Sequence, residues 1–220
     1  MTPELLRQLL FAKAERRAVA LLTNIKSGAQ RLIHRAEAVP GSDLERAFQF
    51  DKSTMVDDEF LAIHNPPLRL VIIGAVLIAQ SIIPIAQACG YDITVIDPRG
   101  AFATGARFPN VDLRIEWPQD VLPKLGLDAR TGFMALTHDP KIDDPALELA
   151  LKSSVFYIGA LGSKKTQAAR QERLTKIGFD ERALKRICGP IGLNIGSVGA
   201  HEIAISVMAE MTKALRLGLA

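Results

Sequence analysis

From Leu68 onward, short uninterrupted apolar runs alternate with segments whose apolar residues recur at helical spacing, the pattern of a parallel sheet covered on both faces. The runs Leu68 to Ile73, Tyr91 to Asp97, Leu113 to Glu116, Thr131 to Leu136 and Val155 to Ile158 predict strands, with a sixth expected at Ile191 to Ile195. Helices fill the intervals. In the first of them Pro84 removes a backbone donor and predicts a kink, while Gly90 supplies the C-terminal stop. The last helix, Ala200 to Arg216, carries Ile203, Val207, Met208, Met211 and Leu215 on one stripe, which suits core or a dimer seam.

The first 66 residues have another rhythm. Pro3 to Arg17 reads as an amphipathic helix with Thr2 as N-cap and proline at its first position. Val19 to Thr23 and Gln30 to His34 flank the hairpin loop Asn24-Ile25-Lys26-Ser27-Gly28, and a helix near Asp43 to Asp51 and a strand near Phe60 to Ile63 complete a small α+β region. Asn65-Pro66-Pro67 ends it, because consecutive prolines resist both helix and central strand. The expected organisation is a small α+β region over residues 1–66 and an α/β, doubly wound, mainly parallel sheet over residues 67–220.

The opening βαβ unit of the second part looks like that of a dinucleotide-binding, Rossmann-like fold with its central glycine missing. Gly74, Val76 and Ala79 stand where glycines would make the tight turn, admit a pyrophosphate and allow close helix packing. A β-branched Val76 puts methyl groups where phosphates would sit. Asp97 ends the second strand where an acidic residue would hold a ribose hydroxyl, or it simply caps the turn into Pro98. Arg99 either receives a phosphate, pairs with Asp97 or faces water.

Composition narrows the classes. The 220 residues are 48% hydrophobic and 23% charged, an ordinary globular balance. A net charge of +3 and 5% aromatic residues argue against a nucleic-acid partner. No apolar stretch is long enough to span a bilayer and no signal-peptide pattern opens the chain, so no membrane partner and a cytoplasmic location are expected. Cys89 and Cys188 form neither a metal motif nor a disulfide framework and read as small buried hydrophobes. Local charge says more: from Lys164 to Arg186, eight basic residues face three acidic ones.

Two later segments carry candidate chemistry. In Phe156 to Thr166 a strand enters a turn containing Gly159 and Gly162, then a helix with Ser163 as N-cap and Lys164 and Lys165 in its first turn. Such a turn can hold a phosphate through amides, helix dipole and two ammonium groups, or it is a solvated helix start. Thr137-His138-Asp139 follows a strand at the carboxyl edge, where doubly wound sheets bind ligands. His138 there could donate a hydrogen bond or shuttle a proton with Asp139 orienting its ring, or the segment is only a turn before Pro140. Ile191 to Ser197 could add amides to the crevice, and Glu202 suits the helix dipole without a catalytic role. No nucleophile elbow, Walker loop or zinc-protease helix occurs, so no catalytic or metal-ligating residue is assigned.

Taken in order, Leu70 to Val76, Val95 to Arg99, Leu136 to Asp139, Tyr157 to Ser163, Pro190 to Gly196 and Glu202 to Ser206 resemble the Rossmann-like domain of the XdhC/CoxI family of xanthine dehydrogenase accessory proteins. The resemblance implies a chaperone that binds the molybdenum cofactor (molybdopterin), assists its sulfuration, and delivers it to a molybdenum hydroxylase; a homodimer is the expected state, and a cysteine desulfurase is a candidate second partner. By the family pattern, Gly74, Asp97, Arg99, Thr137, His138, Asp139, Gly159, Gly162 and Ser163 lie in the site region. Longer family members carry a Gly-Gly-Cys-containing motif that residues 1–67 lack, and Val198-Gly199-Ala200-His201 stands where relatives tend to have threonine and proline. The alternatives are an NAD(P)-dependent oxidoreductase and a nucleotide-sensing regulatory module.

Overall fold

The computed structural model describes residues 1–218, in two compact units that divide between Pro66 and Pro67. In the first, α1 (Pro3–Ala14) is capped by the Thr2 hydroxyl, which accepts from Leu5 N–H. Strands β1 (Val19–Asn24), β2 (Gln30–His34), β3 (Thr54–Val56) and β4 (Glu59–His64) form an antiparallel sheet in the order β2-β1-β4-β3, with α2 (Asp43–Gln49) after β2. Ala20, Leu22, Leu61 and Phe48 are its core. Strand β3 has no counterpart in the sequence pattern. It is three residues long and joins β4 through Asp57 at φ +49 and Asp58, a turn without the glycine that usually announces a hairpin.

The second unit is the expected doubly wound sheet. Strands β5 (Arg69–Ile73), β6 (Asp92–Ile96), β7 (Asp112–Arg114), β8 (Thr131–Ala135), β9 (Tyr157–Ala160) and β10 (Ile187–Cys188) run parallel in the order β10-β9-β8-β5-β6-β7. Helices α3 (Leu77–Ala88), α4 (Pro118–Leu125), α5 (Pro140–Leu151), α6 (Lys164–Lys176), α7 (Glu181–Leu184) and α8 (Gly199–Leu217) make the connections and the final cover. Strand period divides β5 between two cores: Leu70 and Ile72 pack against α3 and α8, Val71 and Ile73 against α4 and α5. Both faces being buried is why the strand reads as a continuous apolar run. Ala79 is fully buried on α3, as its small size at the helix-packing position requires. The α8 stripe is core: Val207, Met208 and Met211 are buried in the same cluster as Ile78 and Ile82 of α3.

The sixth strand lies at Ile187–Cys188, not at Ile191 to Ile195. Ile191 N–H still donates to Ala160 O, but Gly192 and Gly196 have φ of +96 and +74, outside the strand region. The chain bends there, and Leu193 N–H bonds to Ser206 O on α8. Cys89 is exposed at the end of α3 and Cys188 is half-buried, so neither is the fully buried hydrophobe that composition suggested. No helix of the described residues is long and apolar enough to cross a membrane.

Candidate functional site

The strand order reverses between β5 and β8, and their exits form the switch point of the sheet. Gly74, just past β5, has φ +114, and a Cβ there would lie 2.9 Å from Thr137 Cγ2 and 3.2 Å from Thr137 N. Gly74 is therefore fixed by both conformation and the close approach of the β8 exit. Val76 is the N-cap of α3 at φ −99, which any residue adopts, and its side chain packs against the core.

Asp97 at the end of β6 is fully buried and its acceptor positions are filled. Oδ1 accepts from Arg99 N–H at 3.0 Å and Arg99 Nε at 2.9 Å; Oδ2 accepts from Ala75 N–H and Arg99 Nη2, each at 2.8 Å. A carboxylate offers about four lone-pair sites, and here four donors use them. Burial alone would raise the Asp97 pKa, but the hydrogen bonds from Arg99 and Ala75 outweigh it and hold the carboxyl below its ordinary value. The geometry thus favours the pairing with Arg99 over a ribose contact. Arg99, whose pKa is raised mainly by its bond to Asp97, stacks over Phe102 at 4.8 Å and stays one-third exposed.

Thr137 and His138 are organised by a residue the sequence reading missed. Asp143 on α5 is 1% exposed; its Oδ1 accepts from Thr137 Oγ1 at 2.7 Å and Thr137 N–H at 3.3 Å, and its Oδ2 from His138 N–H at 3.1 Å. Burial raises its pKa, partly offset by those bonds. His138 is exposed and held at φ +62, a left-handed conformation uncommon outside glycine. Of the two readings of Asp139, the geometry fits the turn before Pro140. Its Oδ1 caps α5 by accepting from Lys141 N–H, because the chain turns into the helix at that residue. Asp143 falls on the inward face of α5 with Ala146, Leu147 and Ala150, and a lone carboxylate at that apolar spacing was the available signal.

On β9 the expected cradle contracts. Gly159 is inside the strand, where a Cβ would lie 2.8 Å from the Tyr157 hydroxyl and strike Ile191, so it serves packing. The turn proper is Leu161, Gly162 and Ser163. Gly162 has φ +142, with space for a Cβ closed by Thr166 Cγ2 at 2.9 Å. Ser163 is the N-cap of α6 and accepts from Thr166 N–H at 3.1 Å. Lys164 and Lys165 are exposed in the first turn. Behind them lies Arg170, which is 2% exposed and donates to Leu161 O at 2.9 Å and to Gln167 Oε1 at 2.6 Å. It shares the inward face of α6 with Gln167 and Leu174, so its position was readable from helical spacing though its role was not. Part of the basic run is structural: Arg186 donates to the carbonyls of Leu151, Ser153 and Val155.

The strand order and the Gly74–Thr137 switch point define a Rossmann-type domain. The chain belongs to the XdhC family: the family model for the XdhC Rossmann domain matches residues 70–211. It is 31% identical over 147 residues to the molybdenum cofactor insertion chaperone PaoD of Escherichia coli (strain K12), covering 67% of this chain and 40% of PaoD. It is 29% identical over 163 residues to a probable xanthine dehydrogenase subunit of Bacillus subtilis (strain 168), covering 74% of this chain and 46% of that protein. A solved structure described as a xanthine dehydrogenase from Bacillus halodurans has the same fold, with TM-score 0.68 and 23% identity over 96% of this chain and 64% of the other. The chain spans less than half the length of either of these two curated relatives.

Proposed function

We propose that this chain is a non-catalytic carrier of the molybdenum cofactor, binding the finished pterin and passing it to a xanthine dehydrogenase-type molybdenum hydroxylase. The observation that carries the reading is its similarity to a protein named as a molybdenum cofactor insertion chaperone. The donor set fits such a cargo. The cofactor would bring a phosphate to the exposed first turn of α6 and an oxygen- or sulfur-rich metal end toward His138, the exposed imidazole of the switch point. Arg99 Nη1, with no protein partner among the described residues, adds a donor on the same edge. In this reading Gly74, Asp97, Thr137 and Asp139 shape the edge from behind, the chain works as a homodimer in the cytoplasm, and a cysteine desulfurase supplies sulfur to the bound cofactor. The nicotinamide alternative is not favoured, since the buried Asp97 carboxylate has no oxygen left for a ribose.

Delivery is tested by mixing the cofactor-loaded chain with a cofactor-free hydroxylase of this type and measuring molybdenum transferred. Faster loading than from free cofactor is expected. A rate equal to that of free cofactor would contradict delivery.

A further inference from the structure

The first turns of α5 and α6 enclose a cavity of about 280 Å³, walled by His138, Asp143, Asp144, Lys165, Thr166 and Arg170. Arg170 is its most unusual wall. The guanidinium is almost wholly buried, both hydrogen-bond acceptors it uses are neutral, and its Nε has no partner among the described residues. Burial lowers its pKa, partly offset by the nearby carboxylates of Asp143 and Asp144. The two wall carboxylates are already engaged: Asp143 accepts from Thr137 and His138, and Asp144 pairs with Arg173 through Arg173 Nη2 at 3.1 Å. Arg170 lines the cavity with a positive charge that no carboxylate among the described residues contacts directly, and a planar guanidinium of this kind favours an oxyanion as its outside acceptor. Lys165 adds an ammonium and Thr166 a hydroxyl at the same wall.

Charge and donor chemistry say what the acceptor can be. The space of about 280 Å³ lies at the small end of ligand sites, and one tetrahedral oxyanion fits within it. We propose that the cavity is a phosphate subsite, anchored by Arg170 and rimmed by Lys165 and Thr166, which takes free inorganic phosphate or the phosphomonoester end of a larger ligand. It shares Lys165 and the first turn of α6 with the cargo reading above but needs no pterin.

The test is titration of the full chain with inorganic phosphate, and separately with glycerol 3-phosphate, at low ionic strength, followed by backbone amide NMR. Saturable shifts at His138, Lys165 and Thr166 are expected. Lys165→Ala weakens binding about threefold, the scale of one exposed charge. Asp144→Asn tightens it by a similar factor, because it removes a negative wall and releases Arg173. Arg170→Gln abolishes it; should that variant not fold, the other two decide. Tighter binding of glycerol 3-phosphate identifies a larger ligand's phosphomonoester, and equal binding identifies the free anion. Shifts that do not saturate, or affinity unchanged in both Lys165→Ala and Asp144→Asn, would overturn the subsite. Phosphate binding by a chain that does not bind molybdenum cofactor leaves the subsite intact and removes only the cargo reading.

Discussion

Asp97 Oδ2 accepts the backbone N–H of Ala75 at 2.8 Å, tying the end of β6 to the first turn beyond β5. The carboxylate that could have read a ribose is spent on the protein's own turn and on Arg99. Removing it strands a buried amide and leaves the guanidinium unpaired. Asp97→Ala is expected to destabilise the chain by about 2–4 kcal/mol in urea unfolding.

The same group sets a pH dependence. Its folded-state pKa lies below the ordinary value, so its stabilisation is fully present above the unfolded carboxyl pKa and is lost as pH falls through the folded one. Asp143 acts oppositely, since its raised pKa makes protonation favour the folded state. Below about pH 4, wild type should therefore lose stability more steeply than Asp97→Asn, whereas above about pH 4 acidification should stabilise wild type relative to Asp143→Asn, because Asp143 is protonated first in the folded state. Urea midpoints from about pH 3 to 6 check the ordering.

Gly74→Ala meets both a left-handed φ and the Thr137 backbone. An expected loss of about 2–4 kcal/mol combines backbone strain with overpacking. Gly90 has φ +80 but nothing within 4 Å of the place an added methyl would take, so Gly90→Ala should cost only about 1 kcal/mol. Equal thermal shifts in the two variants would remove the close approach of the β5 and β8 exits from the account.

Val76→Gly restores the glycine that the opening βαβ unit lacks. It should not create a dinucleotide site, because Asp97 remains saturated and Val76 already has ordinary backbone angles. NADH fluorescence should report no gain in affinity over wild type.

Tyr157 is fully buried, and its hydroxyl donates to Glu210 Oε2 at 2.6 Å while the same oxygen accepts from Gly192 N–H. Burial raises the phenol pKa well above its ordinary value, so the unfolded state ionises first and stability falls as pH rises past about 10. Tyr157→Phe should cost about 1 kcal/mol at neutral pH and show a flatter alkaline limb.

The sheet was legible because burial on both faces leaves unbroken apolar runs, as at Leu70–Ile73 and Phe133–Leu136. The misplaced sixth strand falls where that signal fails. Strand β10 is two residues long behind a basic segment, and Ile191 to Ile195 looks apolar while its glycines bend it away. At the site, the Ser163 cap and the Asp97–Arg99 pairing could be read from local sequence. Asp143 and Arg170 could not be assigned roles, because each acts across elements: Asp143 on the β8 exit, and Arg170 on the carbonyl of Leu161.

The central claim is that the carboxyl edge of this sheet takes a phosphorylated molybdenum pterin and not a nicotinamide dinucleotide. Its most direct test is equilibrium binding of molybdenum cofactor and of NADH to the purified chain, each followed by fluorescence, with His138→Ala and Lys164→Ala/Lys165→Ala beside wild type. Saturable cofactor binding, weakened in both variants, with no saturable NADH binding is the predicted result. Tight NADH binding with no retention of the cofactor would contradict it.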